Sequence, residues 1–293
     1  MFLPLLHASI ENRPFLLSWA VDPPVFIGLV LASLGYWLAW RRVQLLGRRK
    51  PPVSHAVWYY GGILSIAIAL LGPFDVYNQN SLFMHMAQHL LLLQLAGPMI
   101  WLGRPVQLVL HAVSPRRSGP VIKSVLRRTW VRSLLTFVSH PLVVFLIYNV
   151  TMIAWHVPAM YDAALTHPLI HDVEHLAFLS AALIYWWPII EPIPRHHKMR
   201  MGFALGSIFL TGLVAEALGA ILSLDGSLVY PFYANAKALW GLSPHADQEY
   251  AGLLMWVGGG MLYLTIIFAI MIRSLGGDDY HAAMPTTAAP PLR

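Results

Sequence analysis

The chain has 293 residues, of which 57% are hydrophobic and only 11% charged, with a mean hydropathy of +0.60 and a formal charge of +6. A soluble domain carries about 25% charged residues, so this deficit excludes an ordinary soluble enzyme or nucleic-acid-binding module and predicts an all-α, polytopic membrane protein. Cysteine is absent, which excludes disulfides and thiolate ligands and leaves any metal chemistry to the 14 histidines, Met, carboxylate and backbone groups.

Residues 1–18 read as an outer N-terminal segment. No cleavable signal peptide is expected, because Met1 to Trp19 lacks a basic start and contains Glu11 and Arg13. Residues 19–273 read as a membrane domain. A membrane helix needs roughly 20 apolar residues, and seven stretches qualify: Pro23–Trp40, Val53–Gly72, Ser81–Leu102, Ser133–Trp155, His171–Ile190, Met201–Leu224 and Ala251–Ile272. Pro51, Pro52 and Pro73 punctuate the early turns, and "EPIPR" (Glu191–Arg195) ends the fifth stretch. Residues 274–293 read as a disordered cytoplasmic tail. Of the 19 Lys and Arg residues, all but Arg13 and Lys237 fall in the loops after the first, third and fifth stretches or at the C-terminal end. That asymmetry predicts an outer N-terminus and a cytoplasmic C-terminus, and it assigns the positive charge to the membrane rim rather than to nucleic acid.

With this orientation the histidines sort by side. "SLFMHMAQHLLL" opens the third stretch and puts His85 and His89 four apart, on one helix face. Met84 and Met86 flank the first of them. "AWHVPAMYDAAL" ends the fourth stretch, where Pro158 stops the helix just after His156. "HPLIHDVEHLAF" opens the fifth with a second i, i+4 pair, His171 and His175, and Glu174 between them. His89 and His175 lie one turn deeper than His85 and His171, about 5–6 Å along the helix. Glu216 is the one formal charge between Met201 and Leu224, and an ionisable group inside a membrane helix is a functional candidate by default. Its depth predicts an approach to the deeper histidines.

Each feature alone also fits a plain structural role, such as hydrogen bonding at a helix end. Together they predict a metal site on the outer face, with His85, His89, His156, His171 and His175 as ligands. Glu174, Glu216, Met84, Met86, Asp162 and Asp247 are possible ligands or supporting groups. Imidazole suits copper and zinc, and thioether suits Cu(I). His171, Glu174 and His175 also spell the H-x-x-E-H pattern of a zinc peptidase. The membrane boundary and the companion histidines on other helices argue against proteolysis, and nothing in the constellation requires an enzyme.

Four blocks carry a family resemblance: "HMAQHLLLLQLAGPMIWLGRP" (His85–Pro105), "WHVPAMYDAALTHPLIHDVEHLAFLSAALIYWWPII" (Trp155–Ile190), "DQEYAGLLMW" (Asp247–Trp256) and the turn "LGPFDVYNQNSLF" before the third stretch. With them the chain resembles the CtaG family of cytochrome c oxidase assembly factors, the seven-helix type associated with caa-type oxidases. The resemblance implies a role in building a haem-copper oxidase in a bacterial-type plasma membrane. It also implies binding and delivery of copper at the periplasmic or extracellular side, and an oxidase subunit or assembly intermediate as partner. The alternatives are a b-type haem electron carrier, which would ligate haem through histidines on facing helices, a copper permease, and a scaffold that binds no metal. As the bound group, zinc or haem b is the alternative to copper. The loop Asp225–Tyr250, with Tyr230, Phe232, Tyr233 and Trp240, is a candidate lid or docking surface.

Overall fold

The computed structural model describes residues 15–48, 51–113, 120, 124–125, 127–190, 198–236 and 239–282, with side chains up to residue 272. Among these there is no strand, as the all-α expectation requires. The helices that matter for the site are α1 (Pro23–Leu45), α2 (Val53–Leu70), α3 (Leu82–Leu90, continued by a π-helical Leu91–Ala96 and by Gly97–Leu102), α4 (Pro105–Ala112), α5 (Thr129–Val138), α6 (Pro141–Trp155), α7 (Pro158–Thr166), α8 (Pro168–Ile190), α9 (Met201–Leu224), α10 (Pro244–Leu253, continued by a π-helical Leu254–Gly259) and α11 (Gly260–Ala282).

Their starts are written in the sequence. Pro23, Pro105, Pro141, Pro158, Pro168 and Pro244 each open a helix, where a missing N–H costs nothing and the fixed φ is already helical. Asp22 caps α1 by accepting from the Val25 N–H at 3.1 Å. Ser81 caps α3 by accepting from the Met84 N–H at 3.3 Å.

Among the described residues five helical runs are long and apolar enough to cross a membrane: α1, Val53–Val76, α8, α9 and Pro244–Ile272. The pair α5 and α6 makes a sixth if it is counted as one span, bent by 65°. The bend falls at Pro141, which lacks a donor N–H and holds the preceding His140 extended at φ −67°, ψ 126°. The remaining expected stretch, Ser81–Leu102, corresponds to α3. It is helical throughout but falls outside that set, and His85, Gln88, His89 and Gln94 are the polar residues along it. α11 continues to Ala282, past the Arg273 boundary drawn from composition. Most of residues 1–18, the residues beyond Ala282, His7, His196, His197 and the cations Arg49, Lys50, Arg116, Arg117, Lys123 and Arg195 lie outside the described residues.

Helix α3 sits at the centre, packed against α2, α8 and α10. Gly97 makes the α8 contact close: a Cβ there would lie 2.8 Å from Trp186 Cδ1 and 3.0 Å from Ala182 Cβ. Small residues allow such approach in apolar surroundings. The π-helical turn of α3 loosens the local ladder, and neighbouring side chains bond its carbonyls. Trp186 Nε1–H donates to Leu93 O at 3.1 Å and the Ser65 hydroxyl to Leu91 O at 3.0 Å. π-turns inside helices recur at functional sites. This one lies just beyond His89.

Candidate metal centre

Three helix ends deliver the site. α3 supplies His85 and His89, α6 ends on His156 as its C-cap, and α8 supplies His171, Glu174 and His175. On α8 these residues and Phe178 follow the i, i+3, i+4, i+7 pattern of one helix face. His85 and Glu174 are fully buried, and His89, His156 and His175 nearly so. The ring centroids of His85 stand 4.5 Å from His89, 5.3 Å from His171 and 6.1 Å from His175, and His89 stands 5.8 Å from His156. One ligand atom from each of His85, His171, Glu174 and His175 falls within 4.8 Å of all the others.

Glu174 joins the two layers. Its Oε2 lies 3.5 Å from His85 Nε2, and its Oε1 lies 3.6 Å from His89 Nε2. These separations are long for hydrogen bonds. They match instead the edge of a tetrahedron about 3.4 Å across, which bonds of about 2.0–2.1 Å to one ion would produce. The hydrogen-bonding pattern agrees. His85 Nε2, both nitrogens of His89, His156 Nε2, His175 Nε2 and both oxygens of Glu174 are buried without a hydrogen-bond partner. Buried polar atoms are rarely left so, and here they gather in one place. The donor set is imidazole plus carboxylate, which fits a copper or zinc ion.

Surrounding groups orient the rings. His156 Nδ1 lies 2.7 Å from Met152 O, so it carries the proton and leaves Nε2 as a bare lone pair. His85 Nδ1 meets Tyr161 OH at 2.8 Å, which meets Tyr233 OH at 3.3 Å, which donates to Asn78 O at 2.7 Å. Assigning the protons in that order makes His85 Nδ1 the donor and leaves its Nε2 bare towards Glu174. On the other flank Gln88 Nε2 donates to Asp75 Oδ1 at 3.0 Å and to Ala69 O at 2.9 Å. Asn78 Nδ2 lies 3.3 Å both from Asp75 Oδ1 and from His171 Nε2. Phe178, fully buried, forms a floor 4.5 Å from the His89 ring.

The segment between α9 and α10 covers the centre over Tyr161 and His156. Tyr230 stacks on Tyr161 at 3.9 Å and donates to His156 O at 3.0 Å. Tyr233 reaches Asn78 as described. Burial pushes the phenols of Tyr230 and Tyr233 well above their ordinary range, so both remain neutral donors.

Other expected participants stand elsewhere. Glu216, expected near the deeper histidines, is half-buried on the face of α9 that meets α11, where a Cβ at Gly260 would lie 2.5 Å from its Oε1. Asp247 caps α3 instead, accepting from the Ser81 hydroxyl and the Leu82 N–H, both at 2.6 Å. Asp162 lies on α7, its carboxyl pushed up by burial, with the Phe232 N–H partly offsetting that. Met86 packs in an apolar cluster with Leu82, Tyr161 and Tyr230. Met84 is buried one residue before His85. Both methionines project about 100° away from the His85 direction on the helix. Asp75, Asn78 and the covering tyrosines are the supporting groups that histidine spacing does not reveal.

Comparison with known proteins places the chain in a family. The family described as cytochrome c oxidase caa3 assembly factor matches residues 34–276. An uncharacterized protein of Mycobacterium leprae (strain TN) is 23% identical over 262 residues, 88% of this chain and 40% of its own length. Uncharacterized proteins of Mycobacterium bovis and Mycobacterium tuberculosis are each 21% identical over 277 residues, 90% of this chain and 41% of theirs. The chain therefore spans about two fifths of these relatives. No solved structure matches it.

Proposed function

The chain belongs to the cytochrome c oxidase caa3 assembly factor family, and from that premise we propose that it binds copper through the histidine–Glu174 centre and hands it to an oxidase subunit or assembly intermediate. The observation that carries this reading is the gathering of unpartnered buried nitrogens and carboxylate oxygens from α3, α6 and α8. His85, His89, His156, His171, His175 and Glu174 hold the ion as cargo. The protein crosses the membrane seven times, with α3 and the α5–α6 pair included. Its N-terminus is outside, and the centre opens to the periplasmic or extracellular side. The lysine and arginine distribution supports that orientation. The covering tyrosines are the part of the molecule through which cargo leaves or a partner docks.

Two alternatives fit less well. A haem needs a flat slot between its axial histidines, and five imidazoles, each 4.1–6.1 Å from a neighbouring one, crowd that space. A permease needs polar groups continuing inward from the ligands, and next to His89 the apolar ring of Phe178 packs at 4.5 Å instead.

Metal quantification tests the proposal. Purified protein loaded with Cu(I) or Zn(II) and desalted should retain metal, and the His89→Ala/His175→Ala variant should retain at least tenfold less. Equal retention in both, or none in either, overturns the metal site. Cells carrying only the double variant should fail to assemble active oxidase. Normal assembly would favour a scaffold instead.

Tyr161→Phe should leave helix content unchanged. It should weaken metal affinity roughly 10–100-fold, the usual cost of removing a group that orients a ligating imidazole. Competition against a chromophoric chelator reads this directly. An unchanged affinity would mean that Tyr161 does not set the proton on His85.

A further inference from the structure

We infer that the centre holds two metal ions, one beside each of the two histidines of α3 and bridged by the two oxygens of Glu174. This inference rests on the metal-binding reading above. The outer ion would be held by His85, His171, His175 and Glu174 Oε2, and the inner ion by His89, His156 and Glu174 Oε1. Three observations divide the ligands in this way. The four residues whose ligand atoms all lie within 4.8 Å of one another are His85, His171, Glu174 and His175, and neither His89 nor His156 belongs to that group. Yet His89 and His156 have buried, unpartnered nitrogens of their own, and one outer ion would leave them so. Glu174 turns one oxygen to each layer, Oε2 to His85 at 3.5 Å and Oε1 to His89 at 3.6 Å.

The chemistry of the inner set supports a distinct ion. His156 has its Nδ1 committed to Met152 O, so only Nε2 is left to bind. Its ring stands 5.8 Å from that of His89, and Phe178 packs against both, 4.5 Å from His89 and 6.4 Å from His156. Two imidazoles and one carboxylate oxygen in a dry pocket give a low-coordinate site. The outer set has a fuller complement and lies nearer the covering tyrosines, since Tyr161 reaches His85. Carboxylate-bridged pairs of ions typically stand about 3.5–4 Å apart, and one carboxylate facing two histidine layers matches that arrangement. An inner and an outer ion would make the centre a two-step store, with the outer ion the first to leave.

Stoichiometry decides the matter. Protein in detergent is equilibrated with Zn(II), or anaerobically with Cu(I), desalted, and its metal counted per chain. The native protein should hold two ions and His156→Ala one, with His156→Gln as a better-packed second variant giving the same count. X-ray absorption at the metal edge should show a metal–metal distance in the native protein and none in either variant. One ion in native and variant alike overturns the second site while leaving the metal-binding reading intact. Two ions in both overturns the assignment of the inner ion to His156. No metal in the native protein overturns both readings together.

Discussion

Glu174→Gln should raise the thermal midpoint of the metal-free protein and remove most of the further rise that metal gives. Glu174 is fully buried, and neither of its oxygens has a hydrogen-bond partner. Burying a carboxylate without such partners costs several kcal/mol. A neutral amide of the same shape should recover roughly 1–3 kcal/mol of that, since an unsatisfied neutral group costs less. With metal present the sign reverses. The carboxylate's charge is then what the bound ion needs, and the variant should lose more than about 100-fold in affinity, beyond the cost of changing a merely orienting group. That loss removes about 2.7 kcal/mol of stabilisation at metal concentrations which saturate the native site. Thermal unfolding in detergent, with and without Zn(II), reads both effects. A full metal-induced rise in the variant, or a lower metal-free midpoint, would mean that the carboxylate serves the fold and not the ion.

The same residue marks how far the sequence can be read. The helix-end histidines were legible because His85/His89 and His171/His175 repeat one spacing and Pro158 pins His156. The face of α8 was legible in principle too, since His171, Glu174, His175 and Phe178 form one stripe. Which glutamate would join them was not. Glu174 and Glu216 both lie in apolar helices, and only helix rotation separates them. α8 turns Glu174 towards α3, and α9 turns Glu216 towards Gly260. Asp247 illustrates a different limit. A carboxylate near a histidine site reads as a ligand until the packing places it over the Ser81 and Leu82 N-cap. Asp75 and Asn78 lie just before α3, Tyr233 lies far along the chain, and no local spacing announces a contact such as Tyr233 with Asn78. The broken spans have local causes, Pro141 for the bend and the polar residues of α3 for its weak apolarity.

Gly252→Val should cost more than about 3 kcal/mol, the upper end of what overpacking typically exacts, and should loosen the metal centre from a distance. α9 and α10 meet backbone to backbone. A Cβ at Gly252 would overlap the Ser223 nitrogen and lie 2.6 Å from Gly219 O, while one at Gly219 would lie 2.7 Å from Trp256 N and 2.8 Å from Gly252 O. No flexible side chain can yield there, so the helices must separate. α10 also carries Asp247, whose carboxylate holds the first turn of α3 through Ser81 and Leu82, and His85 follows within that turn. Displacing α10 therefore shifts both the start of α3 and the segment bearing Tyr230 and Tyr233. Gly206→Ala on the same α9 is the control: a Cβ there meets nothing within 4 Å, so the change should be neutral or stabilising by up to about 1 kcal/mol. Thermal midpoints and retained metal should fall together in Gly252→Val and hold in Gly206→Ala. If the two variants unfold alike, α9 and α10 do not meet at this contact. The route by which Asp247 positions His85 then loses its anchor.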